Sequence, residues 1–164
     1  MATGKPISSM DGERLTNPIV FRSLLGALQY LCHTRPDIAY AVNKLSQFIQ
    51  EPTTKHWRGA KRVLRYLKGT ITHGIHIGLN DRLSIVGDSD ADWACCPDDR
   101  KSVAGYCVFL GDALVSWSSK KQAVVSRSNT ESEYRALAQV AAEISWIESL
   151  LKELKFPLSS KSMT

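Results

Sequence analysis

The chain has 164 residues, enough for one domain of ordinary size or two small ones, and its 43% hydrophobic and 23% charged residues exclude a disordered polymer. No stretch approaches the roughly 20 apolar residues that cross a bilayer, and the polar opening MATGKPISSMDGERLTNP has no apolar core, so a chain that is not secreted and stays in a reducing compartment is expected. The net charge of +5 is uneven: residues 1–78 hold 11 Lys/Arg against 4 Asp/Glu, and residues 79–164 hold 10 against 12, which suits a polyanion held by one part and metal or chemistry in the other, as well as ordinary surface charge.

Residues 1–18 are polar, with Gly4, Pro6, Gly12 and Pro18, and read as an extended lead-in or linker. Three helix-period segments follow. Phe21, Leu24, Leu25, Leu28 and Leu31 make one apolar stripe. The second helix starts near Pro36, with a stripe of Ile38, Ala41, Val42, Leu45, Phe48 and Ile49. Pro52 separates it from the third, where Thr53 can cap, Trp57, Ala60, Leu64 and Leu67 form the stripe, and Gly69 ends the helix. Three short amphipathic helices with tight links imply a small helical bundle.

After Gly69 the period changes. HGIHIGL (73–79) and RLSIVGDSD (82–90) look like strands joined by the turn residues Asn80 and Asp81. SVAGYCVFLG (102–111) and ALVSWSS (113–119) are two more, joined by a Gly111-Asp112 hairpin turn. The last element is a long helix. Ser128 with Glu131, or Thr130 with Glu133, can form a capping box. Its apolar face runs through Tyr134, Leu137, Ala138, Ala141, Ile144, Ile147, Leu151 and Leu154, and Pro157 stops it. The second half thus reads as strand, strand, strand and then a helix across the sheet. That is a small core, which implies cover from the helical half or from further chain.

Two carboxylate clusters are candidates for chemistry. Asp88, Asp90 and Asp92 alternate at a strand end, so an extended backbone points all three to one face, where a divalent cation would relieve their repulsion. Glu131 and Glu133 open the long helix, where acids also suit the helix dipole with no further role. Arg58, Lys61, Arg62, Arg65 and Lys68 crowd the outer face of the third helix, either as a solubilising face or as phosphate contacts. Lys120 and Lys121, at the end of the last strand, would add backbone contacts. Trp57, Trp117 and Trp146 sit in periodic apolar elements and read as core. His33, His56, His73 and His76 show no ligand spacing, and Cys32, Cys95, Cys96 and Cys107 form no CxxC pair and read as free thiols.

The motifs add a family resemblance. SDADWA (89–94), PDDRKSVAGYCVFLG (97–111) and SWSSKKQAVVSRSNTESEYRAL (116–137) closely resemble the ribonuclease H region of copia-type retrotransposons. Upstream, FRSLLGALQYLCHTRPDIAYAVNKLSQF (21–48) and AKRVLRYLKGT (60–70) look like that family's stretch linking the polymerase to the nuclease. The resemblance covers roughly residues 20–156, with several motifs in order at family spacing.

It implies a mixed α/β chain in three parts: a lead-in over 1–18, a helical connection over 19–71, and over 72–164 an incomplete ribonuclease H-like fold of three antiparallel strands and a long helix. It further implies hydrolysis of the RNA strand of an RNA–DNA hybrid by two Mg²⁺ (or Mn²⁺) ions about 4 Å apart, held by four carboxylates. Motif by motif, the first carboxylate falls on Asp90 and the second on Glu133. Asp88, Asp92 and Glu131 do not match the family's ligands. No later motif supplies the third and fourth, so the ions are expected only in a complete site and the chain itself is expected to be inactive. Asp88 replaces a usual aromatic or apolar residue, Cys95 and Cys96 a Gly-Asp pair, and Ala123 a proline. The implied partners are an RNA–DNA hybrid or template–primer duplex and the remainder of a Pol polyprotein, with no membrane and no small-molecule cofactor. The implied location is cytoplasmic, in virus-like particles, or nuclear. A non-catalytic nucleic-acid-binding module and an inert relic are the competing readings.

Overall fold

The computed structural model describes residues 7–78 and 84–156. The chain forms α1 (Pro18–Leu31), a 3₁₀ turn (Pro36–Ile38), α2 (Ala39–Ser46), α3 (Thr54–Gly69), β1 (Ile85–Asp92), β2 (Val103–Leu110), β3 (Ala113–Lys121) and α4 (Asn129–Glu153). Among the described residues, four α-helices and a three-stranded antiparallel sheet make it a mixed α/β chain. It divides into two compact units: Met1–Gly74 with Cys96–Arg100, and Ile75–Cys95 with Lys101–Thr164.

In the helical unit, Phe21, Leu25 and Leu28 of α1, Ile38, Val42 and Leu45 from the second segment, and Ala60 and Val63 of α3 make one core. Leu15, Leu24, Leu31, Ala41, Ile49, Trp57 and Leu67 pack around it half-buried. Asn17 caps α1 by accepting the Ile19 N–H (3.0 Å), and Pro18, which has no N–H to lose, occupies the first turn. Leu64, assigned to the apolar stripe from the sequence, is 40% exposed. The inward line of α3 runs through buried His56, Ala60 and Val63 and half-buried Leu67 at i, i+4, i+7 and i+11, which turns Leu64 outward. The buried Arg35 guanidinium clasps Asp37 with two bonds (2.9 and 2.7 Å) and donates to the Thr70 carbonyl (2.9 Å), tying the α1–α2 connection to the end of α3.

In the other unit the sheet order is β1-β2-β3, with Asp90 opposite Gly105 and Gly105 opposite Ser119. Helix α4 crosses it, burying Ile85 and Val108 under Val140, Ile144, Ile147 and Leu151, with Ala91, Ala104 and Ala136 as a smaller cluster. Gly87 permits the close approach, since a Cβ there would lie 2.7 Å from both Val140 and Ile144. This contact corrects the face read for α4. Its buried line is Ser132, Ala136, Val140, Ile144, Ile147 and Leu151. Tyr134, Leu137 and Leu154 are exposed, because they lie off this line; near its start the line carries Ala136 against Ala91 and Ala104. Trp146 is likewise exposed rather than core, whereas Trp57 and Trp117 are half-buried.

The strand expected over 73–79 is absent across 73–78. Gly74 and Gly78 weaken extended pairing there, and Ile77 stands exposed. Residue 79, the turn residues Asn80 and Asp81, and Pro157 lie outside the described residues. The strand expected over 82–90 runs instead from 85 to 92, and the last strand extends to Lys121. Gly111, at φ +60°, makes the expected β2–β3 turn. Among the described residues no helix is long and apolar enough to cross a membrane.

Candidate nucleic-acid interface and carboxylate pair

Because His56, Ala60 and Val63 face inward, α3 turns Arg58, Lys61, Arg62, Arg65 and Lys68 to solvent. Arg58, Arg62 and Arg65 lie on one line and Lys61, Arg65 and Lys68 on the next. The stripe rises about 15 Å along the helix axis. Helix α3 contains no Asp or Glu, and among the described residues none of the five cations forms an ion pair. Lys61 is held 5.3 Å above the Trp57 ring. A solubilising face normally intersperses both signs. This one is a single-sign field, which attracts a polyanion. Lys120 is exposed on β3 and Lys121 follows it, in the other unit.

The carboxylates sit in the sheet unit. Asp88, Asp90 and Asp92 are all exposed, and the alternate positions Ile85, Gly87 and Ala91 are buried with Ser89 half-buried, so the three acids do share one face of β1. Ala91 packs with Ala136, one turn beyond Glu133 on α4. The fold therefore brings Asp90 and Glu133 to the same end of the sheet. Glu133 is half-buried, and it arises from the helix covering the Ala91 face, whereas Asp90 projects from the opposite face. Among the described residues no group of three or more His, Cys, Asp or Glu side chains is arranged to hold a metal ion. The two carboxylates alone do not fit an ion pair of the kind the motifs imply.

Glu131 is committed elsewhere. It accepts the Arg127 N–H (2.8 Å) and two bonds from Arg135 (3.1 and 2.9 Å), and the Arg127 N–H first, then Arg135, hold its carboxyl below the usual range. Ser128 caps α4 by accepting the Glu131 N–H (3.1 Å), which is one half of the first expected capping box; the return bond comes from Arg127, one residue earlier, rather than from Ser128.

Sequence reasoning missed a buried polar latch at this end. Gln122 donates to the Ser132 carbonyl (3.0 Å) and accepts from the Ser126 hydroxyl (2.9 Å), and its backbone N–H bonds Ser102 (2.9 Å). Ser102 in turn accepts the Ala94 N–H (3.1 Å), and Trp93 donates to the Ser126 carbonyl (3.1 Å). The turn after Asp92 is thereby joined to the first turn of α4. Nothing in the run KKQAVVSRS distinguishes these side chains from ordinary loop polar residues.

Comparison with known proteins gives close relatives. The chain is 51% identical over 159 residues to the retrovirus-related Pol polyprotein from transposon RE2 of Arabidopsis thaliana, a match covering 97% of this chain and 11% of that protein. It is 51% identical over 149 residues to an uncharacterized mitochondrial protein of Arabidopsis thaliana (89% of this chain, 62% of that one). It is 45% identical over 130 residues to secreted RxLR effector protein 161 of Plasmopara viticola (79% of this chain, 92% of that one). The chain spans about a tenth of the length of the Pol polyproteins it matches. No family model and no solved structure matches it.

Proposed function

Because the chain is 51% identical over 159 residues to retrovirus-related Pol polyproteins of transposons, we propose that its helical unit is the stretch linking polymerase to nuclease and that α3 lies along the sugar–phosphate backbone of a template–primer duplex or RNA–DNA hybrid. The observation that carries this reading is the α3 stripe of five exposed cations on a helix without a single acid. Such a contact is electrostatic, independent of base sequence and steeply weakened by salt. The sheet unit is the N-terminal portion of a ribonuclease H-like domain, whose intact parent cleaves the RNA strand of hybrids. In that parent Asp90 and Glu133 are two of the four carboxylates holding Mg²⁺ or Mn²⁺. Their common end of the sheet supports the pairing. Their opposite faces, and the lack of further ligands among the described residues, support the reading that this chain by itself cuts nothing.

The test is fluorescence anisotropy of a labelled RNA–DNA hybrid titrated with the chain at rising KCl. Five phosphate contacts give a log–log slope of affinity against salt near about −4.5, and replacing Arg58, Arg62 and Arg65 together with Ala moves it to about −1.8. Binding and slope unchanged in the triple variant would refute the reading.

A further inference from the structure

His56 is a fully buried titratable side chain of the helical unit that the nucleic-acid reading does not use. It lies in the first turn of α3, stacked on Phe48 with ring centroids 4.1 Å apart. Its Nδ1 accepts the Thr53 N–H (2.9 Å), satisfying a donor that the start of α3 leaves open. A nitrogen that accepts carries no proton, so the neutral ring holds its hydrogen on Nε2, which is buried without a hydrogen-bond partner among the described residues.

The same residues anchor the segment before α1. Thr53 donates its hydroxyl to the Asp11 carbonyl (2.5 Å), the Thr54 N–H bonds the Glu13 carbonyl (2.8 Å), and the Leu15 N–H bonds the Pro52 carbonyl (2.9 Å). Lys55 pairs with Asp11 (2.8 Å) and Arg14 with Glu51 (2.9 Å). The Ser8 and Ser9 hydroxyls and the Ser9 N–H bond Asp98. Residues 8–15 thus form a strap across the start of α3, with the His56 acceptor at its centre.

We propose that this strap is a proton-released clasp, in which solvent protonates His56 at Nδ1, breaks the Thr53 N–H···Nδ1 bond and frees residues 8–15 from α3. The added proton occupies the lone pair that Thr53 needs and places a cation against Phe48. Burial of the ring opposes the cation and is the largest influence on it, while the Ser8 backbone, Asp11 and Asp98 act in the other sense. Lys55, already paired with Asp11, adds positive charge beside the strap. Since the folded ring titrates below its ordinary value, the clasp is fully closed above about pH 6.5 and loosens as pH falls from there through the lower folded value.

The experiment is an NMR titration of the full chain from pH 8 to 5, following the His56 ring nitrogens together with amide exchange corrected for intrinsic pH dependence. The opening population reported by Leu15 and Thr54 is expected to rise by up to about tenfold per pH unit below about 6.5 and to level off at the lower midpoint of the Nδ1 shift, while amides of α4 stay flat. In His56→Gln, whose amide oxygen accepts the Thr53 N–H and does not titrate, the acid release disappears. Release that persists in His56→Gln overturns the proposal and assigns it to the carboxylates. Protonation of His56 without release of Leu15 and Thr54 overturns it as well, and this wild-type comparison decides the matter even if the variant does not fold.

Discussion

Adding one methyl group at Gly87 tests the packing that sets the sheet unit. A Cβ there lies 2.7 Å from Ile144 Cδ1 and 2.7 Å from Val140 Cγ2, whereas ordinary contact begins at 3.4 Å. Helix α4 must therefore retreat by about 0.7 Å over its most buried turns, which are anchored by Val140 and Ile144. Overpacking of this kind costs roughly 1–3 kcal/mol. Removing glycine's backbone freedom from a strand returns about 0.5–1 kcal/mol. Gly87→Ala should then destabilise the unit by about 1–2 kcal/mol, a midpoint shift of about 0.5–1 M in urea followed by circular dichroism. Gly26, exposed inside α1 with nothing within 4 Å of the place a methyl group would take, is the opposite case. Gly26→Ala should stabilise by about 0.5–1 kcal/mol. A Gly87→Ala variant as stable as the parent would show that α4 does not approach β1 as described.

Other outcomes follow from the same contacts. Ile144→Ala removes the centre of the sheet-unit core and should cost about 2–5 kcal/mol, unfolding α4 in exchange measurements before α1–α3. The Arg35 hydrogen bonds hold the Asp37 carboxyl below the usual range. That stabilisation is present above the unfolded carboxylate value of about 3.9 and is lost as pH falls through the lower folded value. Acid titration of Asp37→Asn should therefore show a weaker pH dependence below about pH 4 than the parent. With Mg²⁺ or Mn²⁺ the chain should leave a labelled hybrid intact, and a version extended by a family-type C-terminal half should cut it. Cutting that survives Asp90→Asn in the extended version contradicts the ligand assignment.

The helices of the first unit were legible because each carries an uninterrupted apolar stripe ended by Asn, Pro, Thr or Gly, and Phe21, Leu25, Leu28, Val42 and Leu45 are buried as their spacing predicts. The errors have one source. A period identifies an apolar face, but the partner surface chooses which side chains fit under it. His56 entered the α3 core because its Nδ1 serves the helix start, and Tyr134 and Leu137 left the α4 core because the line that meets the sheet runs instead through Ser132, Ala136, Val140 and Ile144. At the candidate sites, the cation stripe and the shared face of Asp88, Asp90 and Asp92 were visible from spacing alone. The Gln122 latch was not, since its partners are a backbone carbonyl and serines from separate loops.

The helical unit includes Cys96–Arg100, five residues that the chain reaches only after completing β1. Ser8 and Asp98, bonded in the strap, are 90 positions apart. During synthesis, at about 5–20 residues per second, the three helices emerge seconds before the residue that fastens their N-terminal segment. Closing so long a loop is an entropic cost that local helix formation does not share. The helices can collapse early, while the start of the strap is fastened late, so a fragment ending before residue 96 should carry Ser8 and Ser9 loose even though Asp11, Glu13 and Leu15 stay bonded beside α3.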